Sequence, residues 1–389
     1  MTTIRSLAEL ADVFNGKTPS KVEQRTEGHP VLKIKDVSGT GDFKGKFESF
    51  VEPSLATKHQ SRWISRGDSL ILNAAHNADY VASKIFFAGA SVEGALPTGE
   101  WLIVRAKSDL VLPAYLNFWL RSAGARKAIK FLVKGIHLYP KDVATLSVPI
   151  RSHPEQRRIV DLLSRAEGIV RLRREAEKKA AELIPALFLD LFGDPATNPK
   201  GWPWSRFGDV GALDRGRSRH RPRDAKELYG GPYPFIQTGE VANSGGRIST
   251  FTSTYSETGL AQSKLWPQGT LCITIAANIA KTGVLEFDAC FPDSVVGFLP
   301  YDRVRTAYVQ AWLGFLQPTI EANAPQAAQK NINLEILRHL PIPVPPIAMQ
   351  EDFELRCRDM VSIQTQQLTA TYKARATFNA LLAQVFTPA

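Results

Sequence analysis

Cysteine is scarce in this chain, with three in 389 residues. Cys272, Cys290 and Cys357 are odd in number and far apart, which excludes a disulfide framework or a zinc-finger spacing and fits a reducing compartment. The seven histidines form no H-x-x-x-H pair, so no helix-borne metal site is expected. No apolar run approaches the roughly 18 residues that a membrane-spanning helix needs. The opening Met1-Thr2-Thr3-Ile4-Arg5 has no apolar signal-peptide core, so the expected location is the cytoplasm, with no membrane partner. A phosphate-binding loop is also missing: Gly45-Lys46 is followed by Phe47 and lacks the first glycine, so it reads as a turn.

What the chain has is repetition, a signal of architecture to be sought first. Leu-Ser-Val-Pro-Ile-Arg-Ser-His-Pro-Glu-Gln at 146–156 is echoed by Leu-Pro-Ile-Pro-Val-Pro-Pro-Ile-Ala-Met-Gln at 340–350. At about the same offset, Lys179-Ala180, Ala186-Leu187 and Phe192 are repeated as Lys373-Ala374, Ala380-Leu381 and Phe386. The chain reads as two copies of one unit, each a globular part followed by a long helix, and 389 residues is enough for several domains. The expected divisions are 1–150, a helix at 151–194, a second globular part at 195–346 and a second helix at 347–389.

Both helical stretches carry a 3,4 apolar rhythm. In the first, one seam is Ile159, Ala166, Arg173, Ala180, Leu187 and the other Leu162, Ile169, Ala176, Leu183, Asp190. Ser152 is placed to cap it, Pro154 suits its first turn, Pro185 should kink its end, and Gly193-Asp194-Pro195 should stop it. In the second helix the seams are Phe353, Met360, Gln367, Ala374, Leu381 and Cys357, Gln364, Thr371, Phe378, Val385, polar in the middle, which weakens packing and can fix register. If the copies are related by an approximate two-fold axis, the helices run antiparallel between the domains, a spacer of about 57 Å for about 38 residues at 1.5 Å each. The other packing is each helix on its own domain.

The globular parts read as mixed α/β. Strand-like runs fall at 31–37, 69–73, 84–87 and 102–105, then at 235–238, 271–275, 283–287 and 295–299, with helical runs at 112–122 and 304–316. The net charge is +10, and +9 of it sits in the two globular parts: +7 in residues 1–154 and +2 in 193–346. A polyanion would therefore bind the globular parts, because the helices are charge-balanced.

Three stretches then resemble the specificity (S) subunit of type I restriction–modification enzymes. They are Leu10-Ala11-Asp12-Val13-Phe14-Asn15-Gly16-Lys17-Thr18-Pro19, the run Gln329-Lys330-Asn331-Ile332, and the proline-rich junctions that end in Gln156 and Gln350. The resemblance spans the chain in order and length of parts; the second junction departs from the first at Met349-Gln350-Glu351. It implies an α+β fold of two target recognition domains separated by two long helices in an antiparallel coiled coil with pseudo-two-fold symmetry. It further implies reading of a bipartite site on double-stranded DNA, docking of two methyltransferase subunits and, where present, restriction subunits. The S subunit itself would be non-catalytic and hold no cofactor; S-adenosylmethionine, ATP and Mg would be used by the partners. Consistent with that, Asp194-Pro195-Ala196 lacks the second proline and the aromatic with which amino-methyltransferases stack a flipped base, and reads as a helix stop.

Lys and Arg on phosphates should supply affinity, and side chains at base edges specificity. In the second globular part the candidates begin with Arg215, Arg217, Arg219, His220, Arg221 and Arg223, read as a flexible basic loop; a solvated or subunit-contacting loop is the bland reading. Gln237, Thr238 and Asn243 either read adenine edges or serve a turn. Asn278 and Lys281 follow a strand, and Gln329, Lys330 and Asn331 form a polar loop before the second helix. The first part offers Lys17 and Thr18 in the matching turn, Lys33 and Lys35 flanking Ile34 on a strand, Asn73, His76 and Asn77 after a strand, and Lys134, His137 and Tyr139 before the first helix. For lone residues such as His76 or Asn77 a loop hydrogen bond is the competing role. Two other classes stay open: a coiled-coil scaffold with an incidental basic surface, and a stand-alone nuclease or methyltransferase.

Overall fold

The computed structural model describes residues 2–107, 109–276, 279–323 and 332–386. They form two compact units, residues 1–175 with 369–389, and residues 176–368. Each unit thus combines one globular part with a segment of both long helices.

In the first unit Thr3–Ser6 pairs antiparallel with Ser147–Ile150, tying the chain start to the proline junction. The main sheet is antiparallel, in the order Ala11–Asn15, Trp101–Ala106, Ser69–Leu72, Ile85–Phe87. A smaller sheet joins Gln24–Arg25, Phe50–Val51, His29–Leu32 and Leu96–Pro97. Side chains alternate across a strand, so Leu102 and Val104 pack on one face, with Tyr115, Leu116 and Trp119 of helix Pro113–Arg121, while Trp101 and Ile103 fill the other. Both faces are covered, which is why these strands read as apolar runs without polar alternation.

The second unit repeats the plan. Trp204–Arg206 pairs with Pro341–Pro343. The main sheet runs Gly211–Arg215, Val295–Pro300, Leu271–Thr274, Thr282–Leu285, Arg247–Ile248, and helix Thr306–Asn323 supplies Tyr308, Trp312 and Leu313 to its core. The smaller sheet is Ser253–Tyr255, Tyr229–Phe235, Ala289–Cys290, Leu265–Trp266.

The repeat is finer than the sequence echo. Gln156 is fully buried; its Oε1 accepts from the Leu112 N–H at 2.8 Å and its Nε2 donates to Leu110 O at 2.7 Å and Arg151 O at 2.9 Å. Gln350, also fully buried, accepts from the Arg305 N–H at 2.9 Å and donates to Arg303 O at 3.1 Å and Pro345 O at 2.8 Å. Each glutamine pins the start of a long helix to the start of the domain's own helix. Tyr115 donates to Pro149 O at 2.7 Å, as Tyr308 does to Pro343 O at 2.6 Å. The departure of the second junction around Gln350 leaves this arrangement intact.

The first long helix, His153–Ala181, begins as expected: Ser152 donates from Oγ to Glu155 Oε2 at 2.7 Å, and its N–H to the same oxygen at 3.1 Å. The helix is interrupted at Glu182 and resumes as Leu183–Phe192. Proline at 185 cannot donate to the Ala181 carbonyl, and its ring crowds that turn. Gly193, at φ 78°, ends it. The second helix is unbroken over Ile347–Phe386. Its seams are the predicted ones, with Phe353, Cys357 and Phe378 buried and the intervening seam residues half-buried. Polar Gln364 donates to Ala180 O at 2.9 Å. Within each unit the two helical segments run antiparallel: Arg151 donates to Val385 O in the first, and Phe192 meets Phe353 in the second.

The first helix corrects one seam. Leu162 and Ile169 are exposed, and Leu163 and Val170 are buried in their place. Both 162/163 and 169/170 are apolar pairs, so periodicity alone did not choose between faces one residue apart, about 100° on the helix. Two strand assignments also change. The strand expected at 31–37 ends at Leu32, and Lys33 and Lys35 lie in the tight turn that follows. The strand expected at 235–238 ends at Phe235, and Thr238–Asn243 is a short helix.

Candidate nucleic-acid interface

At one end of the main sheet of the first unit, several candidates converge. Asn15, the last residue of its strand, accepts at Oδ1 from Asn73 Nδ2 at 2.9 Å; the same amide donates to Gly99 O at 3.0 Å. Asn73 is only 4% exposed. It is a loop tie and not a base reader, because its amide nitrogen is spent and its side chain is covered. Thr18 Oγ1 accepts from the Gly99 N–H at 2.8 Å and donates to Glu100 at 3.3 Å, which holds the adjacent, exposed Lys17 beside that corner.

The chain leaving Asn73 meets the segment before the first long helix. Leu138 N donates to Asn73 O at 2.8 Å, Ala74 bridges to His137, and Ala75 N reaches Ile136 O. Lys130 Nζ donates to Ala78 O at 3.2 Å and Asp79 O at 2.6 Å. These bonds unite residues 74–80 and 130–139 in one surface carrying His76, Asn77, Lys134, His137 and Tyr139, all exposed. Two of these side chains have intramolecular duties. Asn77 caps the turn 78–80 by accepting from Asp79 N, and Lys134 pairs with Asp142 at 2.7 Å.

Lys33 and Lys35 occupy the turn named above. Lys33 Nζ donates to Gln24 at 3.1 Å, while Lys35 is paired with Glu48, whose hydrogen bond raises the lysine pKa. Lys33 has a counterpart in the second unit. Its N–H donates to Asp36 at 2.8 Å, and the Gln237 N–H donates to Glu240 at 2.8 Å. Gln237 and Thr238 therefore start a helix, and Asn243 turns its amide back to Gly239 O at 2.9 Å. That is the turn role; Gln237 remains exposed.

The arginine run leaves a strand at Arg215 and continues as a loop tied at its start by backbone hydrogen bonds. Gly211–Arg215 is a strand, and the chain continues extended: Gly216 N donates to Val295 O at 2.9 Å and Arg217 N to Phe291 O at 3.0 Å. A Cβ at Gly216 would stand 2.2 Å from Phe291 O, so this close approach requires glycine. Exposure alternates, with Gly216 and Ser218 buried and Arg215, Arg217 and Arg219 outward. The Arg219 and His220 N–H groups both donate to Gln262, at 2.6 and 3.0 Å. Among the described residues the guanidinium groups of Arg215, Arg217 and Arg219 make no hydrogen bond or ion pair. Arg221 instead folds onto Ser218 O and His220 O, Arg223 pairs with Asp293 at 3.0 Å, and His220 lies 3.9 Å from Glu227. Beneath the row, partial burial raises the pKa of Asp214, but the Lys264 ammonium at 3.1 Å, the Arg215 N–H and the charge of Arg217 together outweigh it and hold the carboxyl low.

Lys281 is exposed beside this end of the sheet, its N–H on Thr274 Oγ1 at 3.1 Å. Asn278, Gln329, Lys330 and Asn331 lie outside the described residues. The frame around them matches the first unit. Ile332 N donates to Ile275 O at 3.0 Å, as Leu138 does to Asn73 O, and Ala280 and Ala82 both adopt positive φ, 56° and 60°. No group of side chains able to hold a metal is found among the described residues, and none of their helices is long and apolar enough to cross a membrane.

Sequence reasoning passed over the exposed apolar residues of the first surface, Phe131, Ile136 and Tyr80. The only available signal was their position among lysines.

Residues 199–353 match the family model for the type I restriction modification DNA specificity domain. The type I restriction enzyme MjaX specificity subunit of Methanocaldococcus jannaschii is 20% identical over 96% of this chain and 90% of its own length. Two solved structures share the fold. One comes from work on complex assembly and conformational transition of the type I R-M system, with TM-score 0.59 and 20% identity over 99% of this chain and 97% of that one. The other is the type I restriction–modification S subunit of M. genitalium, with TM-score 0.54 and 13% identity over 100% and 97%. A specificity-domain match within the second unit, a relative similar along nearly its whole length and a shared fold agree: this chain is similar to the specificity subunits of type I restriction–modification systems.

Proposed function

We propose that the chain is the sequence-reading subunit of a type I restriction–modification complex, with each unit reading one half of a bipartite site on double-stranded DNA. The observation that carries this is one frame presenting different chemistry at the same end of its main sheet. The first unit places His76, Asn77, His137 and Tyr139 there, and the second a row of unpaired arginines. A repeated frame with unlike loops suits two unlike half-sites.

Catalysis is assigned to partners: methyl transfer from S-adenosylmethionine and ATP- and Mg-dependent cleavage would be done by methyltransferase and restriction subunits. Two similar helical junctions suit two copies of one methyltransferase subunit. The stripe Leu162, Ile169, Leu172, with Ile169 53% exposed, is apolar surface that such a subunit would cover. The helical segments would set the number of unread base pairs between half-sites. Removing one heptad from each helix shortens the pair by about 10 Å, about three base-pair steps. The expected result is a mapped site with unchanged half-sites and about three fewer unread base pairs; altered half-sites would refute the spacer role.

A further inference from the structure

The surface formed by residues 74–80 and 130–139 is unusual for its apolar content. Phe131 is 78% exposed, Tyr80 64%, Tyr139 48% and Ile136 42%. None of them is needed for the core, and a cluster of exposed apolar side chains marks a contact surface. The rim identifies the kind of partner: exposed Lys127, Lys130 and Lys134 stand beside these residues, so the surface suits a polyanion better than an apolar protein face. In a DNA major groove the only apolar group on a base edge is the C5-methyl of thymine; every other feature there is a donor or acceptor.

We propose that the first unit reads thymine methyl groups in its half-site, with Phe131, at the end of helix Ala123–Phe131, as the principal contact. This rests on the DNA-reading function proposed above. Phe131 lies one residue beyond Lys130, whose ammonium is bonded to the 78–79 backbone. The phenyl ring is thereby carried on an anchored edge, while His76 and Asn77 on the neighbouring loop offer polar groups for flanking bases.

The test uses the full complex on duplexes carrying the mapped site. Each thymine of the first half-site is replaced singly by deoxyuracil, which lacks only the methyl group. Wild-type binding should weaken about fourfold at one or two positions, the effect of losing one buried methyl contact. With Phe131→Ala the same replacement should have no further effect, and binding to the thymine duplex should already be weakened. Two results would overturn the proposal: a half-site without thymine on either strand, or a deoxyuracil penalty unchanged in Phe131→Ala, which is the same as an equal Phe131→Ala loss on thymine and deoxyuracil duplexes and would indicate stacking. A Phe131→Ala complex that fails to assemble would also overturn it, by assigning the ring to a protein partner. Failure of the underlying DNA-reading function is distinguishable, since it gives no specific duplex to begin with. Because Phe131 projects into solvent, its loss should leave folding unchanged, checked by thermal unfolding.

Discussion

Replacing Gln350 by Leu removes a fully buried amide that satisfies one backbone N–H and two backbone carbonyls: those of Arg305, Arg303 and Pro345. Leucine is of similar size, so the change isolates the hydrogen bonds from packing. A buried group left unpaired costs about 1–3 kcal/mol, and the carbonyls retain a second lone pair. The N–H loss should dominate, for a total of about 3 kcal/mol. At about 2–4 °C per kcal/mol for a domain of this size, the melting point should fall by about 6–12 °C. Gln156→Leu should do the same to the first unit, because its three bonds are equivalent. Gln350→Glu keeps the acceptor for Arg305 but sets a carboxylate against two carbonyl oxygens; it should be at least as damaging at pH 7 and recover partly in acid, where the protonated carboxyl can donate. The assay is differential scanning calorimetry of wild type and the three variants. A shift under about 2 °C for both leucine variants would refute the claim that these glutamines pin the helices to their domains.

Other outcomes follow from the same geometry. Arg215→Ala, Arg217→Ala and Arg219→Ala should each reduce the slope of log binding constant against log salt by about 0.9 if the side chain neutralises a phosphate, or change the half-site at one base if it reads guanine; Arg221→Ala, whose guanidinium is folded on its own backbone, should do neither. Glu155 has its pKa lowered by hydrogen bonds from Ser152, so its stabilisation of the first helix is present above the ordinary value of 4.5 and is lost as the pH falls through the depressed folded value. The stability difference between wild type and Glu155→Gln should therefore be largest at neutral pH and vanish in strong acid, as measured by urea unfolding. All three cysteines are buried, and burial raises the thiol pKa, to about 12 for Cys357. Thiol reagents at pH 8 should label none of them in the native protein and all three after denaturation.

The two-unit plan was legible because proline-rich junctions ending in Gln156 and Gln350 sit beside heptads, and both signals depend on local spacing. The second helix matched seam by seam: every expected seam residue is buried or half-buried, although Leu355, Ile363, Leu368 and Tyr372 lie exposed on its other faces. The first did not, because Leu162 and Ile169 have apolar neighbours at 163 and 170 and only tertiary packing selects the buried pair. Candidate residues fared according to whether their neighbours could be foreseen. His76, Asn77 and His137 do meet on one surface, whereas Asn73 was drawn inward by Asn15 and Gly99, partners 58 and 26 residues away. The arginine run read as a basic loop from its Gly and Pro content; its backbone partners Val295, Phe291 and Gln262 are residues that no local pattern connects to it.

The measurement that bears most directly on the central claim is base-resolution mapping of methylated DNA in cells expressing this chain together with a type I methyltransferase subunit. Two-headed recognition predicts modification at a single asymmetric motif of two short half-sites separated by a fixed number of unread base pairs, with Arg217→Ala altering or weakening one half only. A stable complex that modifies no motif, or one whose motif is a single uninterrupted sequence, would contradict it.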